Sequence, residues 1–255
     1  MLGFELRELS LNFFILSFYS HIFSPPIDAI IDMNTGASNI EHAFSPYTDN
    51  GGTTLAIAGE DFCVVAGDTR QSEGYLINAR YSPKVYALGN NTVLATGGMH
   101  ADGVALVKRL SQNLEWYFHK HDKNMSATAL AQMLSTVLYS KRFFPYYVWN
   151  TLGGLDSEGK GCVFSYDPVG NFEKQIWSCS GSAGHLIQPF LDNQVGHKHQ
   201  SNVKHHLLSL ETVLKIVKDA FAGATERDIY TGDFVEIFII KKDGVTVEKF
   251  PLKRD

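Results

Sequence analysis

A layered α+β sandwich of antiparallel sheets is the fold this sequence predicts, and three observations carry it. Runs of small, β-branched and apolar residues recur in pairs joined by short turns, the pattern of hairpins. Helical periodicity is confined to two blocks set between groups of strands, so no βαβ alternation competes. With 255 residues and 44% hydrophobic content, the chain can bury one sizeable core.

The first hairpin joins the run from Gly51 to Ala58 with the run from Phe62 to Arg70 across Gly59-Glu60-Asp61. Residues 75–80 are a short extended piece, and Pro83 keeps Ser82 out of a helix. Residues 84–88 and 92–96 form a second hairpin across Gly89-Asn90-Asn91. From Ala101 the period changes: Val104, Val107, Leu110, Leu114 and Tyr117 mark an amphipathic helix. A second helix, capped by Ser126, places Leu130, Leu134 and Val137 on one face and ends near Arg142, before Pro145. Three strands follow, over residues 146–155, 161–166 and 172–179, joined by turn-forming clusters. Ser180 to Gly184 leads into a short helix through Leu191 and then a polar loop. Ser209 caps a helix with Val213, Leu214, Val217 and Phe221 inward. Residues 234–240 and 245–250 close the fold as a hairpin across Asp243-Gly244.

Net charge is −5, and no basic run exceeds Lys241-Lys242, so neither nucleic acid nor a membrane surface is an expected partner. Cys63, Cys162 and Cys179 are too few, and odd in number, for a secreted disulfide framework. Residues 11–23 are apolar, but acidic residues precede them and no small-residue cleavage site follows, which argues against a signal peptide. Residues 1–43 read as an N-terminal extension, 1–32 as a mistaken or alternative start, and 44–255 as the folded domain.

Gly-Thr-Thr-Leu-Ala from Gly52, Val-Ala-Gly-Asp-Thr-Arg from Val65, Ser-Pro-Lys-Val from Ser82, Ser-Gly-Ser-Ala-Gly from Ser180 and Glu-Arg-Asp-Ile-Tyr-Thr-Gly-Asp from Glu226 stand in one order and spacing. Together they resemble the beta subunits of the eukaryotic proteasome core particle. The runs from Arg142 to Val148, Tyr166 to Gly170 and Leu191 to Val195 narrow the resemblance to one subunit type. It covers about residue 42 to the C-terminus.

The resemblance implies an N-terminal-nucleophile hydrolase fold, a four-layer αββα sandwich of two antiparallel sheets. In catalytic members a threonine exposed by propeptide removal attacks the peptide carbonyl, and its own α-amine takes the proton. By the same resemblance Asp68 and Lys84 match the aspartate and lysine that tune this nucleophile, Asp228 and Thr231 the pair that completes the site, and Ser180 the stretch that supplies its serine. The nucleophile of those members lies sixteen residues before the aspartate and thirty-two before the lysine; here that position is Gly52, which has no oxygen. Thr53 lies on the opposite face of the strand, with Leu55 and Ile57.

The resemblance therefore implies a non-catalytic structural subunit of the beta ring, within a threonine-type endopeptidase complex that degrades ubiquitin-tagged proteins. Its partners are the other beta and alpha subunits and, through the assembled core, regulatory particles, in cytoplasm and nucleus; no cofactor is expected. The alternative is an active protease using Thr53 after cleavage at Gly52, brought into register by a one-residue deletion in the Gly59-Asp61 turn. Without a nucleophile, Asp68, Lys84 and Asp228 read as a vestigial ion-pair cluster. His197, His199, His205 and His206 read as a solvated loop rather than a metal site, for lack of a neighbouring carboxylate or Cys. The aromatic run from Phe143 to Trp149 is expected at a subunit interface, and residues 250–255 as an arm reaching a neighbour.

Overall fold

The computed structural model describes residues 44–89, 91–201 and 207–255. The expectations for residues 1–43, and for Asn90, His205 and His206, fall outside these residues. The chain divides into two units, Met1–Ser45 and Pro46–Asp255, and every element below belongs to the second. In order they are β1 (Thr53–Ala58), β2 (Phe62–Asp68), β3 (Gln71–Glu73), β4 (Leu76–Ala79), β5 (Val85–Ala87), β6 (Thr92–Gly98), α1 (His100–His121) and α2 (Ala127–Tyr139). There follow β7 (Val148–Leu155), β8 (Gly161–Tyr166), β9 (Phe172–Gln175), β10 (Trp177–Gly181), α3 (Gly184–Gln194), α4 (Leu210–Thr225), β11 (Phe234–Lys241) and β12 (Gly244–Pro251).

Two five-stranded antiparallel sheets result, ordered β10-β1-β2-β11-β12 and β5-β6-β7-β8-β9, with β3 and β4 as a separate hairpin. β1 and β2 are buried at every residue, which is why they read as continuous apolar runs. On one face Leu55, Ile57, Val64 and Ala66 pack against Ile187 and Leu191 of α3 and Val217 and Phe221 of α4. On the other, Ala56, Cys63 and Val65 meet Val93, Ala95 and Val163 of the second sheet. That sheet turns Leu94, Leu152 and Phe164 to Leu106 and Leu110 of α1 and Leu130 and Leu134 of α2. The layers are thus helices, sheet, sheet, helices. Small side chains fill the space between sheets, and a Cβ on Gly153 would stand 2.3 Å from Val65, so glycine there permits the close approach. Ser126 and Ser209 cap α2 and α4 through bonds from Ala129 N and Thr212 N.

Two expectations need correction. The single strand expected over residues 172–179 is two: β9 edges one sheet, β10 edges the other, and the chain crosses at Ile176, whose carbonyl accepts Ala58 N at 2.7 Å. Continuous alternation hides this crossing, because each half still presents an apolar face. Nor does the C-terminus reach outward as an arm. Leu252 is buried in the α3/α4 core, Leu252 N donates to Asp233 O, and Asp233 N donates to Lys253 O, both at 2.9 Å. An apolar residue followed by charges fits a fold-back as well as an arm, and only the waiting Asp233 distinguishes them.

Candidate functional site

The site lies where β2 ends beside the start of β1. Asp68, fully buried, faces Lys84 at 3.2 Å, accepts Thr53 N at 2.9 Å on the same oxygen and Gly232 N at 3.2 Å on the other. Burial pushes its carboxyl up, against the pull of Lys84 and the two amides. The Lys84 ammonium also donates to the carbonyls of Asp68 and Arg70, which ties its strand to the end of β2. Arg70 donates to Asp233 at 2.8 Å and to the Ile229 carbonyl at 3.0 Å, and Arg80 reaches Asp233 at 2.6 Å. These bonds hold the loop that carries Asp228 and Thr231.

Lys84 points at Gly52. A Cβ built on Gly52 would lie 2.1 Å from Lys84 Cε and 2.7 Å from Nζ, so the position that fronts the lysine is Gly52, as the resemblance implies. Thr53 faces the other way. Its hydroxyl accepts Ala183 N at 2.9 Å and donates to Thr231 Oγ1 at 2.8 Å, while Thr231 donates to Asp228 at 2.6 Å. Thr53 therefore closes a buried hydroxyl chain rather than facing the ammonium.

The serine of this group is Ser182, which donates to Asp228 at 2.6 Å; Ser180 instead faces Thr151 at 3.4 Å. The stretch from Ser180 thus supplies the serine as expected, but through Ser182 rather than Ser180 itself. Two serines two apart share a face on a regular strand, but Gly181 between them has φ +95°, which breaks the alternation. Ser182 N also donates to the Gly52 carbonyl at 3.0 Å.

Residues before Gly52, which spacing alone did not single out, complete the site. Asn50 N donates to Gly98 O at 3.2 Å, and Ser72 N donates to Asn50 O at 3.1 Å, so the segment is stitched on both sides like a short strand. Its side-chain amide donates to Ser72 O and accepts His100 N; the latter caps α1, whose own N-cap residue supplies no side-chain bond. Tyr47 packs against Phe144 and Tyr147 in tilted ring pairs with centroids 5.5 and 5.3 Å apart. This strap runs directly into Gly52. Among the described residues no group of three or more His, Cys, Asp or Glu side chains could hold a metal ion, and no helix is long and apolar enough to cross a membrane.

Two sheets face to face between helix layers, with a lysine and aspartate aimed at the head of a central strand, define the N-terminal-nucleophile hydrolase class. Within it, the family model described as proteasome subunit matches residues 48–240, and the chain belongs to that family. It is 51% identical to proteasome subunit beta type-1 of Danio rerio over 216 residues, 85% of this chain and 91% of that one. It is 51% identical to subunit beta type-6 of Saccharomyces cerevisiae over 235 residues (88% and 98%), and 50% to beta type-1 of Arabidopsis thaliana over 223 residues (84% and 99%).

Proposed function

We propose that this chain is a non-catalytic structural member of the beta ring of a proteasome core particle, of the type the relatives' names give as beta type-1 or type-6. The observation that carries this is Gly52 in front of Lys84, with the chain continuing upstream through a hydrogen-bonded strap. The site retains a lysine, an aspartate and a hydroxyl network but offers them neither a nucleophilic oxygen nor a free amine. Peptide hydrolysis then belongs to other subunits of the particle, and this chain contributes surface and scaffold. The particle assembles from alpha and beta subunits, accepts regulatory particles and works in cytoplasm and nucleus; residues 1–43 precede the working domain as an extension.

An active protease built on Thr53 is disfavoured. The Thr53 hydroxyl already spends its proton on Thr231, its nitrogen donates to Asp68, and Lys84 stands beside the preceding residue. Particles carrying Thr53→Ala are expected to keep every peptidase activity at the parental level, and a threonine-directed covalent inhibitor to leave this chain unlabelled. Loss of one activity with assembly intact would refute the proposal.

A further inference from the structure

The strap carries a chemistry of its own. Asn50-Gly51 is the one Asn-Gly pair in the sequence. Such a pair is labile because glycine puts no side chain in the way of its own nitrogen, which can attack the preceding side-chain amide. Here the fold needs both residues. Gly51 has φ +63°, and a Cβ on it would stand 2.7 Å from Tyr230 Cβ and 3.0 Å from Ser72 Oγ. Asn50, 8% exposed, uses its side chain as donor to Ser72 O at 3.1 Å and as acceptor from His100 N at 2.9 Å. An ionised aspartate could not donate the first bond, and an apolar residue could make neither.

The same bonds hold the reaction off. Closing the ring requires the Gly51 nitrogen, freed of its proton, to reach Asn50 Cγ. In the docked strap that N–H donates to Asp49 Oδ1 at 2.9 Å, and both ends of the Asn50 amide are engaged. The Asn50 main chain is pinned as well, its N–H on Gly98 O at 3.2 Å and its carbonyl accepting Ser72 N at 3.1 Å and Ser72 Oγ at 3.2 Å. Turning the amide toward Gly51 breaks the bonds to Ser72 and His100 at a buried position. Release of the strap lifts these restraints together. Its outer anchor is Tyr47, whose ring lies against Phe144 and Tyr147 and whose hydroxyl donates to Pro145 O at 2.7 Å.

We propose that Asn50-Gly51 is a modification site that opens when the strap leaves its seat, and that the modified strap no longer fits that seat. The Gly51 nitrogen loses its proton and bonds to Asn50 Cγ, the Cγ–Nδ2 bond breaks, and ammonia leaves with that proton. Water then opens the cyclic imide. Attack at Cγ gives aspartate, and attack at the Asn50 carbonyl carbon gives isoaspartate, whose main chain is longer by a methylene. Aspartate sets a buried carboxylate against the Ser72 carbonyl, and isoaspartate displaces the pairing with Ser72 and Gly98. A chain whose strap has stayed out is thereby marked for good.

Full-length chain is aged in mildly alkaline buffer, natively and in concentrated urea, and Asn50 is followed by peptide mass spectrometry that resolves isoaspartate. Conversion is expected to be roughly tenfold slower, or more, in the native chain. Tyr47→Ala, which removes the outer anchor, should raise the native rate about threefold or more. Urea kept below the unfolding transition should leave that rate nearly flat, because strap release exposes little surface. Equal rates in native and denatured chain, no effect of Tyr47→Ala, or a native rate that climbs with urea as steeply as global unfolding would overturn the inference. Chain aged in urea and returned to native buffer tests the fit of the product. Chymotrypsin is expected to cut after Tyr47 in the modified fraction and to spare the unmodified one; equal protection of both would overturn that half.

Discussion

At position 52 a side chain is strained, because the φ of +89° disfavours L residues, and it would have to push aside the flexible end of Lys84. Restoring the missing hydroxyl with Gly52→Thr is therefore expected to cost about 1–3 kcal/mol in backbone strain, beyond any displacement of Lys84. The variant should melt lower and stay unlabelled by a threonine-directed inhibitor while its strap is attached, since an acylated nitrogen is no base. Labelling of the tailed variant would refute this. Asp233 is the second residue whose neighbours decide its role. Burial opposes its ionisation, but Arg70 and Arg80 prevail and hold its carboxyl below the usual range. A depressed carboxyl contributes stability that is complete above the unfolded-chain value of about 3.9 and is lost as pH falls through the folded value. Asp233→Asn strands the buried Arg70, at a cost of about 3–5 kcal/mol near neutral pH. Denaturant titrations in steps below pH 4 should show the deficit shrinking as pH falls from the unfolded-chain value through the folded one; a deficit that stays constant throughout would sink this account.

Among the elements, those whose partners are local were the legible ones. The β1/β2 and β11/β12 hairpins and the serine-capped helices α2 and α4 follow from periodicity and turn chemistry, because their hydrogen bonds close within a few residues. What stayed hidden depends on distant partners: the crossing at Ile176, the fold-back of residues 252–254, and the strap pinned by Asn50. In the site, the offsets carried over with the family resemblance put Gly52 before Lys84. They could not choose Ser182 over Ser180, because the left-handed turn at Gly181 is a property of the folded chain. The buried Leu252 turns one of these hidden features into an expectation. Leu252→Ala should cost about 2–5 kcal/mol as a core truncation, and deleting residues 252–255 should lower the domain's own melting temperature. A truncated chain that melts with the parent and fails only to assemble would restore the outward arm.

For the whole molecule, the conspicuous surface is aromatic. Phe143 is 97% exposed and Phe144 54%, beside half-exposed Tyr147 and Trp149, a run of exposed rings within seven residues. Membership of a subunit family accounts for it, because large rings are enriched where subunits meet. The double variant Phe143→Ser, Phe144→Ser should make the isolated chain more soluble on size exclusion and reduce its recovery in assembled particles. Unchanged recovery would place the interface elsewhere.

The crossing at Ile176 has a bearing on how the protein is made. β1 emerges early from the ribosome, yet one of its two neighbours, β10, follows only after both helices and the whole second sheet, and β2 waits still longer for β11. A half-synthesised chain thus carries a finished β5 to β9 sheet beside a hairpin with two open edges, a template for pairing with other nascent chains. Translation stalled before residue 177 should leave a chain that aggregates or recruits a holding chaperone, and release of the finished chain from the ribosome should relieve this. The order of strands in the sheet would then be a timetable for the cell, setting how long the newborn subunit has to be shielded.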